Sequence, residues 1–82
     1  MKVRPLSRRV IGYLERRQLV EKFQKQTLLL LQNPRHPSLN TELLEPRHLG
    51  LYSFRVSKKY RAIFIFCGDG TYEIIDVTNH YC

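Results

Sequence analysis

The chain has 82 residues, 43% of them apolar, with 14 Lys and Arg against 7 Asp and Glu and a formal net charge of +7. That length suits one small packed domain and excludes a second lobe built around a deep cofactor cavity. The longest apolar run, Leu28 to Leu31, falls far short of the ~20 residues of a membrane span, and Lys2 and Arg4 lead into more charge rather than an export signal, so neither a membrane nor a secreted protein is expected.

The charge points to a polyanion or an acidic partner. Cys67 and Cys82 are too few for a disulfide framework or a four-ligand metal site, and the three histidines are scattered. Cys67 and Cys82 read as plain thiols of a reducing cytosol, with no metal and no small-molecule cofactor expected.

In chain order, Lys2 to Leu6 offers a short edge strand limited by Pro5. Two helices follow, over about residues 7–16 and 19–32. Ser7 is the expected N-cap of the first, with Val10, Tyr13 and Leu14 on one face. Gly12 weakens it by up to ~1 kcal/mol relative to Ala. In the second, Val20, Phe23, Thr27, Leu30 and Leu31 form a stripe, and Glu21, Lys22, Lys25 and Gln26 are expected to face outward. Asn33-Pro34 ends it, because the residue before proline avoids the helical region. The pair reads as an antiparallel helical hairpin turning near Arg17-Gln18.

Residues 33–50 read as a loop punctuated by Pro34, Pro37, Pro46 and Gly50. Alternation then predicts strands over about residues 51–56, 60–67 and 71–78, joined by hairpin turns at Ser57-Lys58-Lys59 and Gly68-Asp69-Gly70. The expected class is α+β: an N-terminal antiparallel helical hairpin packed on a twisted, mainly antiparallel sheet of three to four strands.

A three-residue first turn places Arg55 directly opposite Arg61. Like charges so placed destabilise a sheet unless the position is wet or an anion sits there. Two adjacent guanidiniums suit a phosphodiester, with Lys58 and Lys59 in the turn as further phosphate contacts. Alternatively, both arginines extend into water or pair with Glu73 or Asp76. Beyond the last strand lie His80, a residue type suited to general acid–base work, and Tyr81, suited to stacking on a base. A three-residue second turn puts Tyr81 on the arginine face; a two-residue turn puts His80 there; a frayed tail is the third reading. Glu42 and Glu45 are candidate bases in the loop, and His36 and His48 read as loop residues.

Three blocks in order resemble the RelE/ParE superfamily of small bacterial toxins from type II toxin–antitoxin pairs. They are Asn33-Pro34-Arg35-His36-Pro37-Ser38-Leu39, then Leu49-Gly50-Leu51-Tyr52-Ser53-Phe54-Arg55-Val56 with Tyr60-Arg61-Ala62-Ile63-Phe64, and finally Ile74-Ile75-Asp76-Val77-Thr78-Asn79-His80. The resemblance implies a RelE-like fold and a cytoplasmic, metal-independent endoribonuclease that cleaves mRNA on the ribosome, inhibits translation and is silenced by a cognate acidic antitoxin. It implies Arg61 as the catalytic arginine and Arg55 as a basic neighbour. It further implies His80 as acid and Tyr81 as base-placing residue, as in the YoeB-like branch, with Glu42 at that branch's general base. Two other expectations stand beside it: a ParE-like toxin that binds DNA gyrase, and a non-catalytic basic module that binds RNA or a protein partner.

Overall fold

The computed structural model describes residues 2–79. Strand β1 (Lys2–Val3) leads to helices α1 (Arg8–Arg16) and α2 (Val20–Gln32). A 3₁₀ turn (Pro37–Leu39), strand β2 (Glu42–Leu43) and a second 3₁₀ turn (Arg47–Leu49) follow, then β3 (Tyr52–Arg55), β4 (Arg61–Phe66) and β5 (Thr71–Thr78). The sheet is mixed and five-stranded, in the order β1-β5-β4-β3-β2, with β1 parallel to β5 and the other pairs antiparallel. The helical hairpin and twisted sheet are as expected. The sheet has one strand more, because part of the proline-punctuated loop pairs with β3: Glu42 faces Ser53, Leu43 faces Tyr52, and the Leu44 N–H donates to Leu51 O.

Ser7 caps α1, its hydroxyl accepting from the Val10 N–H at 3.2 Å. The chain reverses at Gln18, which takes the left-handed conformation at φ 56°. The helices pack on one face of the sheet. Val10, Leu14, Leu19, Phe23 and Leu30 meet Phe54, Val56, Ala62, Phe64, Tyr72, Ile74 and Val77 in a single core.

Two expectations for α2 are corrected. Val20 is exposed, and Gln26 is buried. Gln26 Nε2 donates to Arg55 O at 2.8 Å and to Ser38 O at 3.2 Å, bonding α2 to the end of β3 and to the first 3₁₀ turn. A buried amide is tolerated when its donors find carbonyls in this way. Its position, four residues before Leu30 and three after Phe23, lies within the buried stripe.

Both hairpin turns have three residues. Val56 pairs with Tyr60 across residues 57–59, and Cys67 pairs with Thr71 across residues 68–70. Gly70 closes the second turn at φ 83°, a conformation that side chains disfavour. Along β4–β5, Phe64 faces Ile74 while Ile63 faces Asp76, so Ile75 is an extra residue, a β-bulge. Arg9 from α1 secures it, donating to Ile75 O at 2.7 Å and to Asp76 Oδ1 at 2.9 Å.

Candidate functional site

The face of the sheet opposite the helices carries the polar residues. Pairing puts Glu42 beside Ser53 on β3, and Arg55 of the same strand beside Arg61 on β4. Paired residues share a face, and so do residues two apart. Glu42, Ser53, Arg55 and Arg61 therefore belong to one surface, with Ile63 and Asp76 alongside.

The two arginines differ in setting. Arg55 is exposed, whereas Arg61 retains only 8% of its accessible surface. Arg61 Nε donates to Ser53 Oγ at 2.9 Å, and Nη2 donates to Ser53 O at 3.3 Å and to Asn40 O. These three acceptors are neutral oxygens that orient the guanidinium. Asn40 is itself in the left-handed conformation, at φ 44°, where it ends the first 3₁₀ turn two residues before Glu42. Arg61 thus reaches diagonally across Ser53 to the segment that carries Glu42.

The pairing of Arg55 or Arg61 with Glu73 or Asp76, one of the alternatives, does not occur among the acids' closest partners. Asp76 takes Arg9 at 2.9 Å, and Glu73 lies 3.9 Å from Arg4. Arg4 also holds Asp69 at 3.1 Å. A hydrogen bond from the Thr71 hydroxyl, then the Arg4 contact, holds the Asp69 carboxyl below its ordinary value.

The second hairpin fixes the register of β5 against Arg61. Its turn has three residues, yet the Ile75 bulge reverses the parity beyond it, so Thr78 rather than Val77 stands opposite Arg61. His80 and Tyr81 lie outside the described residues. Lys58 and Lys59 are exposed in the first turn. His48 is exposed in the second 3₁₀ turn, and His36 Nδ1 accepts from the Ser38 N–H at 3.2 Å. Ser53, Asn40 and Gln26 were not anticipated as part of the site. A serine two residues before Arg55, on the same face of an alternating strand, was the one available signal.

No protein-family model matches the chain, and no curated protein matches its sequence. Solved structures do match its fold. A YoeB/ParE toxin from Agrobacterium tumefaciens superposes with a TM-score of 0.73 at 21% identity, covering 99% of this chain and 100% of that one. YoeB from Staphylococcus aureus, solved as a dimer, gives 0.71 at 19% identity over 98% of this chain and 94% of its own. The same toxin in a heterotetrameric YoeB–YefM toxin–antitoxin complex gives 0.71 at 19% identity, over 96% and 95%. The chain has the fold of these toxins.

Proposed function

We propose that this chain is the toxin of a type II toxin–antitoxin pair and a ribosome-dependent mRNA endonuclease that inhibits translation in the cytoplasm. The observation that carries the reading is the shared placement of Glu42, Arg55 and Arg61 on the sheet face opposite the helices. That placement is the minimum a metal-independent RNA cleavage needs: a base, and cations where phosphate charge develops. The toxin fold supports it.

In this reading Glu42 takes the proton of a ribose 2′-OH, and the 2′ oxygen attacks the adjacent phosphorus. The bond to the 5′ oxygen of the next nucleotide breaks, leaving a 2′,3′-cyclic phosphate. His80 gives its proton to that leaving oxygen. Arg61, fixed by Ser53 and Asn40, and Arg55, exposed beside it, stabilise the extra negative charge on the phosphoryl oxygens. Tyr81 stacks on a base, and Lys58 and Lys59 hold backbone phosphates.

A cognate acidic antitoxin is the proposed silencing partner, supported by the net charge of +7 and by the YoeB–YefM complex of the S. aureus toxin. Induction in cells followed by primer-extension mapping of mRNA ends tests the reading. Cuts within translated frames are expected, with rescue by co-expression of an adjacent small acidic protein. Intact mRNA with damaged DNA would replace this reading with gyrase binding.

A further inference from the structure

At the end of the molecule where the β3–β4 turn meets the turn between the helices lies a cleft of about 580 Å³ whose rim includes Arg17, Lys22, Lys58 and Lys59. Among the described residues, ion pairs join Arg4 to Asp69 and Glu73, Arg9 to Asp76, and Arg47 to Glu45. None involves a rim cation, and Glu15 and Glu21, the acids nearest in sequence to Arg17 and Lys22, form none with them either. Like charges gathered in this way repel one another, which costs stability until an anion arrives.

One of these cations is held in place. Arg17 Cζ sits 3.7 Å from the centre of the Tyr13 ring, and Tyr13 meets Tyr60 edge-on, with ring centres 6.1 Å apart. A guanidinium stacked on an aromatic ring keeps its edge N–H groups available to phosphate oxygens and loses little freedom on binding. The cleft also lies near the candidate site. The Val56–Tyr60 pair directly follows Arg55–Arg61, so at ~3.3 Å of rise per residue the turn lies within about 10 Å of the two arginines. Its apolar members, Leu19 and Tyr60, are buried and half-buried, which gives a protein partner little to anchor on.

We propose that this cleft is a second anion site that takes the sugar–phosphate backbone of RNA leaving the arginine pair; the assignment rests on the RNA-directed reading above. The path turns from the open face around the β3–β4 turn towards the helices. Arg17 and Lys22 hold phosphates on the helix side, and Lys58 and Lys59 on the sheet side.

The test measures binding of a fluorescent single-stranded 2′-O-methyl RNA, which has no free 2′-OH to react, by anisotropy over a series of KCl concentrations. Each lost phosphate contact lowers the slope of log affinity against log salt by about 0.7. Arg17→Gln/Lys22→Gln should therefore flatten the slope by about 1.4 and weaken binding. Lys58→Gln/Lys59→Gln in the exposed turn should do the same, and Arg17→Lys should restore most of the slope. Melting temperatures should stay level or rise as repulsion is relieved. Unchanged slope and affinity in both double variants would overturn the proposal. So would an unchanged RNA slope with lost binding of an acidic antitoxin, which would make the cleft a protein-docking site. Cleavage is not read in this experiment, so failure of the endonuclease reading would show separately, as intact mRNA in cells.

Discussion

Arg55 and Arg61 stand directly opposite each other across β3 and β4, yet one is exposed and the other is buried against Ser53 and Asn40. The fold resolves the clash of two facing like charges by sending the side chains to different environments. Arg61 runs flat across β3 towards the segment bearing Glu42. Arg55 is left at the surface, able to meet a mobile ligand.

This division predicts a split between activity and stability. Arg55→Gln should lower RNA cleavage with little change in melting temperature, because no hydrogen bond of its side chain holds the fold among the described residues. Arg61→Gln should lower cleavage by a factor on the order of 10²–10³, as losing a charge-stabilising donor does. It should also destabilise the domain by about 1–3 kcal/mol, since Ser53 Oγ and Asn40 O lose their donor in a buried place. Urea unfolding beside a cleavage assay checks both. Equal stability losses in the two variants would contradict the split.

Gln26 joins three parts of the site through one amide. Replacing it by Ala leaves the carbonyls of Arg55 and Ser38 without that donor and opens space under the end of β3. The expected loss is about 2 kcal/mol, with faster amide exchange at residues 55–60. Gln26→Leu should recover packing but not the hydrogen bonds, and should fall between Ala and wild type.

Thr27 has a buried hydroxyl with no partner among the described residues. Thr27→Val keeps the shape and removes a desolvated polar group, so stability should rise by about 1 kcal/mol. Gly12→Ala in α1 should add up to about 1 kcal/mol from helix propensity. The new methyl would meet only the tip of Arg16, at 3.0 Å, and that flexible side chain can move aside. A lower urea midpoint in either variant would refute its rationale.

Asp69 carries a pH signature. Its folded-state value lies below the ordinary carboxylate value, so its contribution is present above about pH 4 and is lost as pH falls through the folded value. Asp69→Asn should be less stable than wild type at pH 7, and the difference should shrink at pH 3. A difference independent of pH would assign the effect to the turn's shape rather than to the charge.

The helices, the three long strands and the facing arginines were legible because they rest on period and turn length. Ser7 before an apolar face, or the alternation from Tyr52 to Val56, needs no distant contact to be read. Glu42–Leu43 was not legible as a strand, since two residues carry no period and the pairing exists only because Ser53 and Tyr52 offer an edge. Gln26 resembles a solvated residue until Ser38 and Arg55 present carbonyls to it. The Ile75 bulge was equally hidden: β-branched residues run through it unbroken, and only its pairing with β4 and the grip of Arg9 mark the extra residue. That bulge decides which residue faces Arg61, so the pairing of the two arginines could be read from sequence but the parity of β5 could not.

Ribosome-dependent cleavage by this chain is measured on purified ribosomes programmed with a defined mRNA, by mapping the 5′ ends that appear when the protein is added. Wild type should cut within the codon in the decoding site at fixed magnesium. Glu42→Gln, Arg61→Gln and His80→Gln should each slow that cut, the acid and base variants by ~10²–10⁴-fold. Unbroken mRNA with the wild-type protein, or cleavage that persists at full rate in all three variants, would contradict the account.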